Sequence, residues 1–125
     1  MQFTEEKLSE LLNRPTSLNL PYTDLTAADL RGANMKGANL FKANLENANL
    51  EGADLSGATL YKANLIGANL IGTNLTDVNL GGATLERAHL EGANLENTKL
   101  KGAIMPDGTV HKESWMIHIV VPIPL

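Results

Sequence analysis

An apolar residue falls on every fifth position from Leu20 to Met105 without a gap. Sixteen of these eighteen centres are Leu, and the other two are Met35 and Met105. No regular element accommodates that period. Five residues advance an α-helix by about 500°, so successive centres would sit roughly 140° apart around its axis. In a strand the side-chain period is two, and leucines five apart would alternate faces. Turning the chain once per repeat aims every leucine inward. The chain then coils, with very short strands as sides and a turn at each corner.

The other columns of the repeat agree with a coil. Two residues before each centre, from position 23 to 103, stand thirteen Ala together with Thr23, Thr73, Thr98 and Val78. A narrow interior requires small side chains there, where the backbone crosses a corner. One residue before the centre, Asn or Asp fills twelve of seventeen places. Two residues after the centre, Gly recurs nine times. A type II turn needs φ > 0 at its third residue, which Gly supplies at low steric cost. Lys42, Lys62, Asp77 and Arg87 replace Gly in this column and are expected to mark looser or different turns. Sides of successive coils would pair as parallel strands, about 4.8 Å apart.

The runs Ala33-Asn34-Met35-Lys36-Gly37, Ala38-Asn39-Leu40-Phe41-Lys42 and Ala93-Asn94-Leu95-Glu96-Asn97 carry the pattern A(D/N)LXX. In this the chain resembles the pentapeptide repeat family, over about 88 residues from Leu18 to Met105 and in seventeen tandem copies. The resemblance implies an all-β solenoid: a right-handed quadrilateral parallel β-helix, with four repeats per coil and about four coils in this chain. The period alone would not fix four sides. The run Met105-Pro106-Asp107-Gly108-Thr109 also looks like endings of the family's short cyanobacterial members.

An open coil exposes unpaired backbone and core at both ends, so terminal caps are expected. Residues 1–17 read as an N-terminal capping segment, with a short amphipathic helix over 4–13. Thr4 is its N-cap, Glu5 and Glu6 suit the positive end of the helix dipole, and Phe3, Leu8, Leu11 and Leu12 form its apolar side. Residues 18–105 form the β-helix. Residues 106–125 open with the turn signal Pro106-Asp107-Gly108 and continue into an apolar tail that contains the only Trp. Left open, that tail is an aggregation hazard, so it is expected to cap its own last coil, make a homodimer contact or meet another partner, the first two being favoured.

Composition excludes several functions. The chain has no cysteine, and therefore no disulfide framework or zinc–thiolate site. Its net charge of −4 and scattered basic residues argue against direct nucleic-acid binding. It lacks eighteen consecutive apolar residues and a signal-like opening, so no membrane association and a cytoplasmic location are expected. No nucleophile, metal-protease or phosphate-loop motif occurs, so no catalytic residue, cofactor or metal is expected. His89 stands between Glu86 and Glu91 and reads as a solvated histidine.

At a twenty-residue return, Phe41 lies beside Tyr61. Asn34, Asp54, Asn74 and Asn94 line another side, where side-chain ladders between coils are expected. The large apolar residues placed outside are Phe41, Tyr61, Ile66 and Ile71. With Trp115, Ile117 and Ile119 of the tail they form the candidate protein-contact surface. The sequence reads as a non-enzymatic scaffold or protein-interaction module with an unidentified protein partner. The alternative is a DNA-mimicking inhibitor or protector of a type II topoisomerase such as gyrase. The resemblance suggests it, because larger members of the family mimic DNA in this way.

Overall fold

The computed structural model describes residues 1–14 and 17–113. Fourteen parallel bridges, from Asn19↔Asn39 to Thr84↔Ile104, each join residues twenty apart. Each return therefore takes four five-residue steps, and the chain forms a parallel β-helix whose sides stack in register.

A single repeat shows why the coil is stable. The Leu45 N–H donates to Asn64 O of the next coil at 2.7 Å, and the Asn47 N–H to Ile66 O at 2.9 Å. The Asn49 N–H reaches back to Ala28 O of the preceding coil at 2.9 Å. The Ala48 N–H closes the corner onto Leu45 O at 2.9 Å, and the Glu46 N–H donates to Asn44 Oδ1 at 3.0 Å. All five amides of the repeat are thus satisfied, as a largely buried backbone requires.

The corners are more uniform than the sequence suggests. All seventeen corner residues from Tyr22 to Gly102 have φ between 53° and 78°. Lys42, Lys62, Asp77 and Arg87, expected to loosen their turns, have φ of 53°, 58°, 60° and 58°, as the glycines do. The neighbouring coil imposes this geometry. Each of these residues donates its N–H across to the next coil, as Lys42 does to Tyr61 O at 3.0 Å and Asp77 to Glu96 O at 3.0 Å. Left-handed backbone at a non-glycine residue costs roughly 1–2 kcal/mol, which the corner and ladder bonds offset.

The centre leucines and the small-residue column point inward and are buried along the coil. Exceptions lie near the ends, where Ala33, Ala93, Leu95 and Met105 are half-buried. The buried Thr73 and Thr98 hydroxyls donate to Leu50 O at 2.7 Å and Leu75 O at 2.9 Å, so neither is stranded in the core.

At the N-terminal end, helix α1 spans Glu5–Leu12. The Thr4 hydroxyl oxygen accepts the Lys7 N–H at 3.1 Å, with Glu5 and Glu6 in the first turn. Leu8 and Leu11 are buried in the same core as the coil, and Phe3 and Leu12 pack against it. Gln2 pairs with the edge of the first coil: its N–H donates to Asp24 O at 3.0 Å, and its Oε1 accepts the Asp24 N–H at 2.8 Å. At the C-terminal end the chain turns at Pro106-Asp107-Gly108 and comes back antiparallel, with Ile104 bridged to Val110. Asp107 Oδ1 holds this turn by accepting the Thr109 hydroxyl at 2.6 Å and its N–H at 3.0 Å. Among the described residues no helix is long and apolar enough to cross a membrane.

Candidate functional site

The outward Asn/Asp column is occupied with the corners. All twelve of its Asn and Asp residues, and Thr59, accept the N–H of the residue two positions on. The expected ladders between coils are largely absent from the described residues. Asn39 Nδ2 to Asn19 Oδ1 at 3.0 Å is a direct link of that kind. An amide acceptor one residue before a tight turn finds the corner N–H closer than the next coil, and local geometry prevails.

The aspartates in this column are held as carboxylates. The Arg31 guanidinium on Asp29, helped by the Arg31 N–H, brings its carboxyl down to about 2. The Thr26 N–H and hydroxyl lower Asp24. Burial opposes ionisation of Asp54, but the Ser56 hydroxyl and N–H, with Lys36, outweigh it and leave the carboxyl below its ordinary value.

One corner column is aromatic. Phe41 and Tyr61 stack with ring centroids 6.0 Å apart and planes at 11°. Tyr22 adds an edge contact to Phe41, at 5.5 Å and 88°. Lys42 Nζ lies 5.9 Å from the Tyr22 ring and 5.6 Å from the Phe41 ring, and Lys62 Nζ lies 5.5 Å from Tyr61. Tyr22 is 67% exposed and Tyr61 38%, so the column presents ring edges with lysine amines beside them. Beyond Tyr61 the column holds Gly81, where a Cβ would stand 3.0 Å from the Tyr61 ring. The bare glycine leaves the ring room to lie flat.

The sequence places Phe41 beside Tyr61, and the structure does the same. The repeat pattern gives no hint of Tyr22. It occupies a corner position, one residue off the Phe41–Tyr61 column, and a twenty-residue comparison does not pair it with Phe41. Gly81 carries the one signal that could have been read, a glycine twenty residues after Tyr61 in a column that otherwise holds side chains. Ile66 and Ile71 lie one and two corners further round the coil, so they do not join the aromatic column. Ile66 is half-buried, and Ile71, exposed, stands between Glu51 and Glu91 in its own column. Trp115, Ile117 and Ile119 lie outside the described residues.

Two polar features remain. A groove of about 500 Å³ runs between α1 and the first coil, lined by Leu8, Ser9 and Leu12 of the helix and by Asp29, Arg31 and Ala33 of the coil. His89 is exposed, with Nδ1 4.0 Å from Glu91 Oε1, and Glu91 Oε2 is occluded without a hydrogen-bond partner among the described residues. Among the described residues no three His, Cys, Asp or Glu side chains come together as a metal site.

Comparison with known proteins agrees with this architecture. The family model for pentapeptide repeats matches eight copies, over residues 16–47, 38–77 and 68–105. Among solved structures, the chain is 28% identical to alr5209, a pentapeptide repeat protein of Nostoc PCC 7120, with a TM-score of 0.50 over 89% of this chain and 87% of that one. It is 36% identical to HetL, a pentapeptide repeat protein of Nostoc sp. strain PCC 7120 involved in heterocyst differentiation regulation. That match covers 77% of this chain with a TM-score of 0.37, and the chain spans only 51% of HetL. QnrB1, a plasmid-mediated fluoroquinolone resistance protein, matches at 17% identity over 70% of this chain and 55% of that one, with a TM-score of 0.37. No curated protein sequence matches. The repeat columns, the twenty-residue return and the family match lead to one assignment: this chain belongs to the pentapeptide repeat family and has its right-handed β-helix solenoid fold.

Proposed function

We propose that the chain is a non-enzymatic scaffold that docks a protein partner on the corner carrying Tyr22, Phe41 and Tyr61. The observation that supports this most is the aromatic column itself, with Tyr22 and Tyr61 exposed on either side of the half-buried Phe41 and with Lys42 and Lys62 beside the rings. Aromatic side chains are over-represented at the energetic centres of protein interfaces. The flanking amines favour a partner surface that offers carboxylates around an apolar contact. Ile71 is a separate minor contact, and Ile66, half-buried, contributes less. The non-enzymatic reading has physical support, because most polar groups of the outer column are engaged in holding corners.

In the same reading the chain divides into a capping segment 1–17, a four-sided β-helix of about four coils over 18–105, and a segment 106–125. That last segment closes the C-terminal end or meets a second copy. The setting is cytoplasmic. A DNA-mimicking topoisomerase inhibitor is less well supported. Asp24, Asp29 and Asp54 turn their carboxylates into their own corners, and lysines flank the aromatic column.

The test is affinity capture from the source organism, with the wild-type chain and with a Tyr22→Ser/Phe41→Ser/Tyr61→Ser variant. The expected result is a protein retained by the wild type and lost from the variant, with the variant still folded by circular dichroism. Equal retention by both would contradict the assignment of the surface.

A further inference from the structure

The four corners of the coil differ in charge. The corner that carries the aromatic rings runs from Pro21-Tyr22 through Phe41-Lys42 and Tyr61-Lys62 to Gly81-Gly82 and Lys101-Gly102, and it holds lysines but no acid. The next corner round the coil holds Glu46, Glu86 and Asp107 against Arg87. The preceding corner holds Asp77 and Glu96 against Lys36, and the opposite one Glu51 and Glu91 against Arg31. On a chain of net charge −4, acids outnumber bases at each of those three corners, and the aromatic corner has the opposite sign.

The groups along that stripe act in the same sense. The Phe41 and Tyr61 rings stack on each other, so the column turns ring edges outward. An aromatic quadrupole is positive at its edge. Lys42 and Lys62 add full charges, with their amines 5.6 Å from the Phe41 ring and 5.5 Å from the Tyr61 ring. Both lysines are exposed, and the ion pairs of the described residues lie elsewhere.

The stripe is also narrow. A side of about three extended residues spans roughly 10 Å, so the acids of both neighbouring corners begin at about that distance. One helix or one extended chain has that width. A broad acidic surface would bring its carboxylates against Glu46, Glu86 and Asp77 as well, where like charges repel. Nucleic acid fits the stripe less well. Bases bind such columns by stacking on open ring faces, and here Phe41 and Tyr61 cover faces of each other.

We propose that the aromatic corner takes a single acidic segment of a partner protein, one helix or one extended chain wide. Its carboxylates meet Lys42 and Lys62, and its apolar side chains lie along Phe41 and Tyr61. This rests on reading the corner as a docking surface, and it narrows the partner from a protein in general to a negatively charged segment.

The test is fluorescence anisotropy with the full-length chain and a labelled synthetic peptide of glutamate with interspersed leucine. Binding is expected, and it should weaken at least about fivefold between about 0.05 and 0.3 M salt. Lys42→Glu/Lys62→Glu should lower the affinity at least about tenfold, with the fold intact by circular dichroism. Lys7→Glu/Arg87→Glu makes the same change in net charge away from the stripe and should leave the affinity within about twofold. An equal loss in both variants would reduce the effect to net charge and overturn the proposal. Equal or tighter binding of oligothymidylate would overturn it in favour of a general polyanion site. Absence of peptide binding would overturn it too. The docking reading would still stand in that case if affinity capture loses a protein with the Tyr22→Ser/Phe41→Ser/Tyr61→Ser variant.

Discussion

At the N-terminal end of the coil, α1 buries Leu8 and Leu11 in the core, and Gln2 fills the open edge at Asp24. At the C-terminal end, residues 105–111 cover one side, and Ala93, Leu95 and Met105 are half-buried. Between these ends a repeat such as residues 45–49 satisfies its amides with the coils above and below, with its own corner and with the Asn44 side chain. The difference shows what a repeat can and cannot specify. A repeating pattern defines how each coil meets the next. It cannot define what meets the first or the last, because nothing of its own kind follows. Non-repetitive sequence has to supply what lies there, which among the described residues is helix α1 at one end and an antiparallel return at the other.

The largest single effect should come from the middle, where the repeat alone holds the structure. Leu60 is fully buried and Ala58 is 2% exposed. Leu60→Asp places an unpaired charge among methyl groups, and a loss of more than about 4 kcal/mol is expected, enough to abolish cooperative melting. Ala58→Leu overpacks the corner crossing and should cost about 1–3 kcal/mol. Unchanged thermal melting in both would overturn the inward assignment of these columns. At the N-terminal end, Leu11→Ala should cost about 2–4 kcal/mol, because α1 loses a side chain buried in the core. A negligible change would mean that α1 does not close the coil. Thr4→Ala removes one cap bond from an exposed helix start and should lower stability by about 1 kcal/mol, measured by denaturant unfolding.

The smallest effect concerns acid. Asp54 has a folded-state pKa below its ordinary value of 3.8, so its carboxylate stabilises the fold above about that pH. That contribution is lost as pH falls through the lowered folded value. Asp54→Asn keeps the Oδ1 acceptor that Ser56 uses but removes the charge, so stability at pH 7 should fall slightly. The loss of stability below pH 4 should become shallower than in the wild type. An unaltered acid limb would show that Asp54 plays no part in it.

The columns of the repeat were legible because each has a single physical role. Leu fills the axis, and Ala lets the backbone pass. The Asn column was legible as outward, but its bonding was not. Whether an amide side chain bonds along the coil or back to its own corner depends on distances that spacing does not reveal. The corner column misled in the other direction. Lys42, Lys62, Asp77 and Arg87 lack the freedom of glycine, yet the ladder bonds of the adjoining coils hold them at the same φ. Of the aromatic surface, the Phe41–Tyr61 stack follows from the twenty-residue return. Tyr22 does not, because its ring reaches Phe41 from a neighbouring column.

The twenty-residue return itself is tested most directly by backbone nuclear Overhauser contacts between coils, measured in solution on the intact chain. The parallel bridges Asn44↔Asn64 and Asn64↔Thr84 require contacts between residues twenty apart, repeated in each of the four columns. Contacts at that separation along Asn44, Asn64 and Thr84 are the expected result. Contacts at fifteen or twenty-five residues, or none between coils, would contradict a four-sided coil.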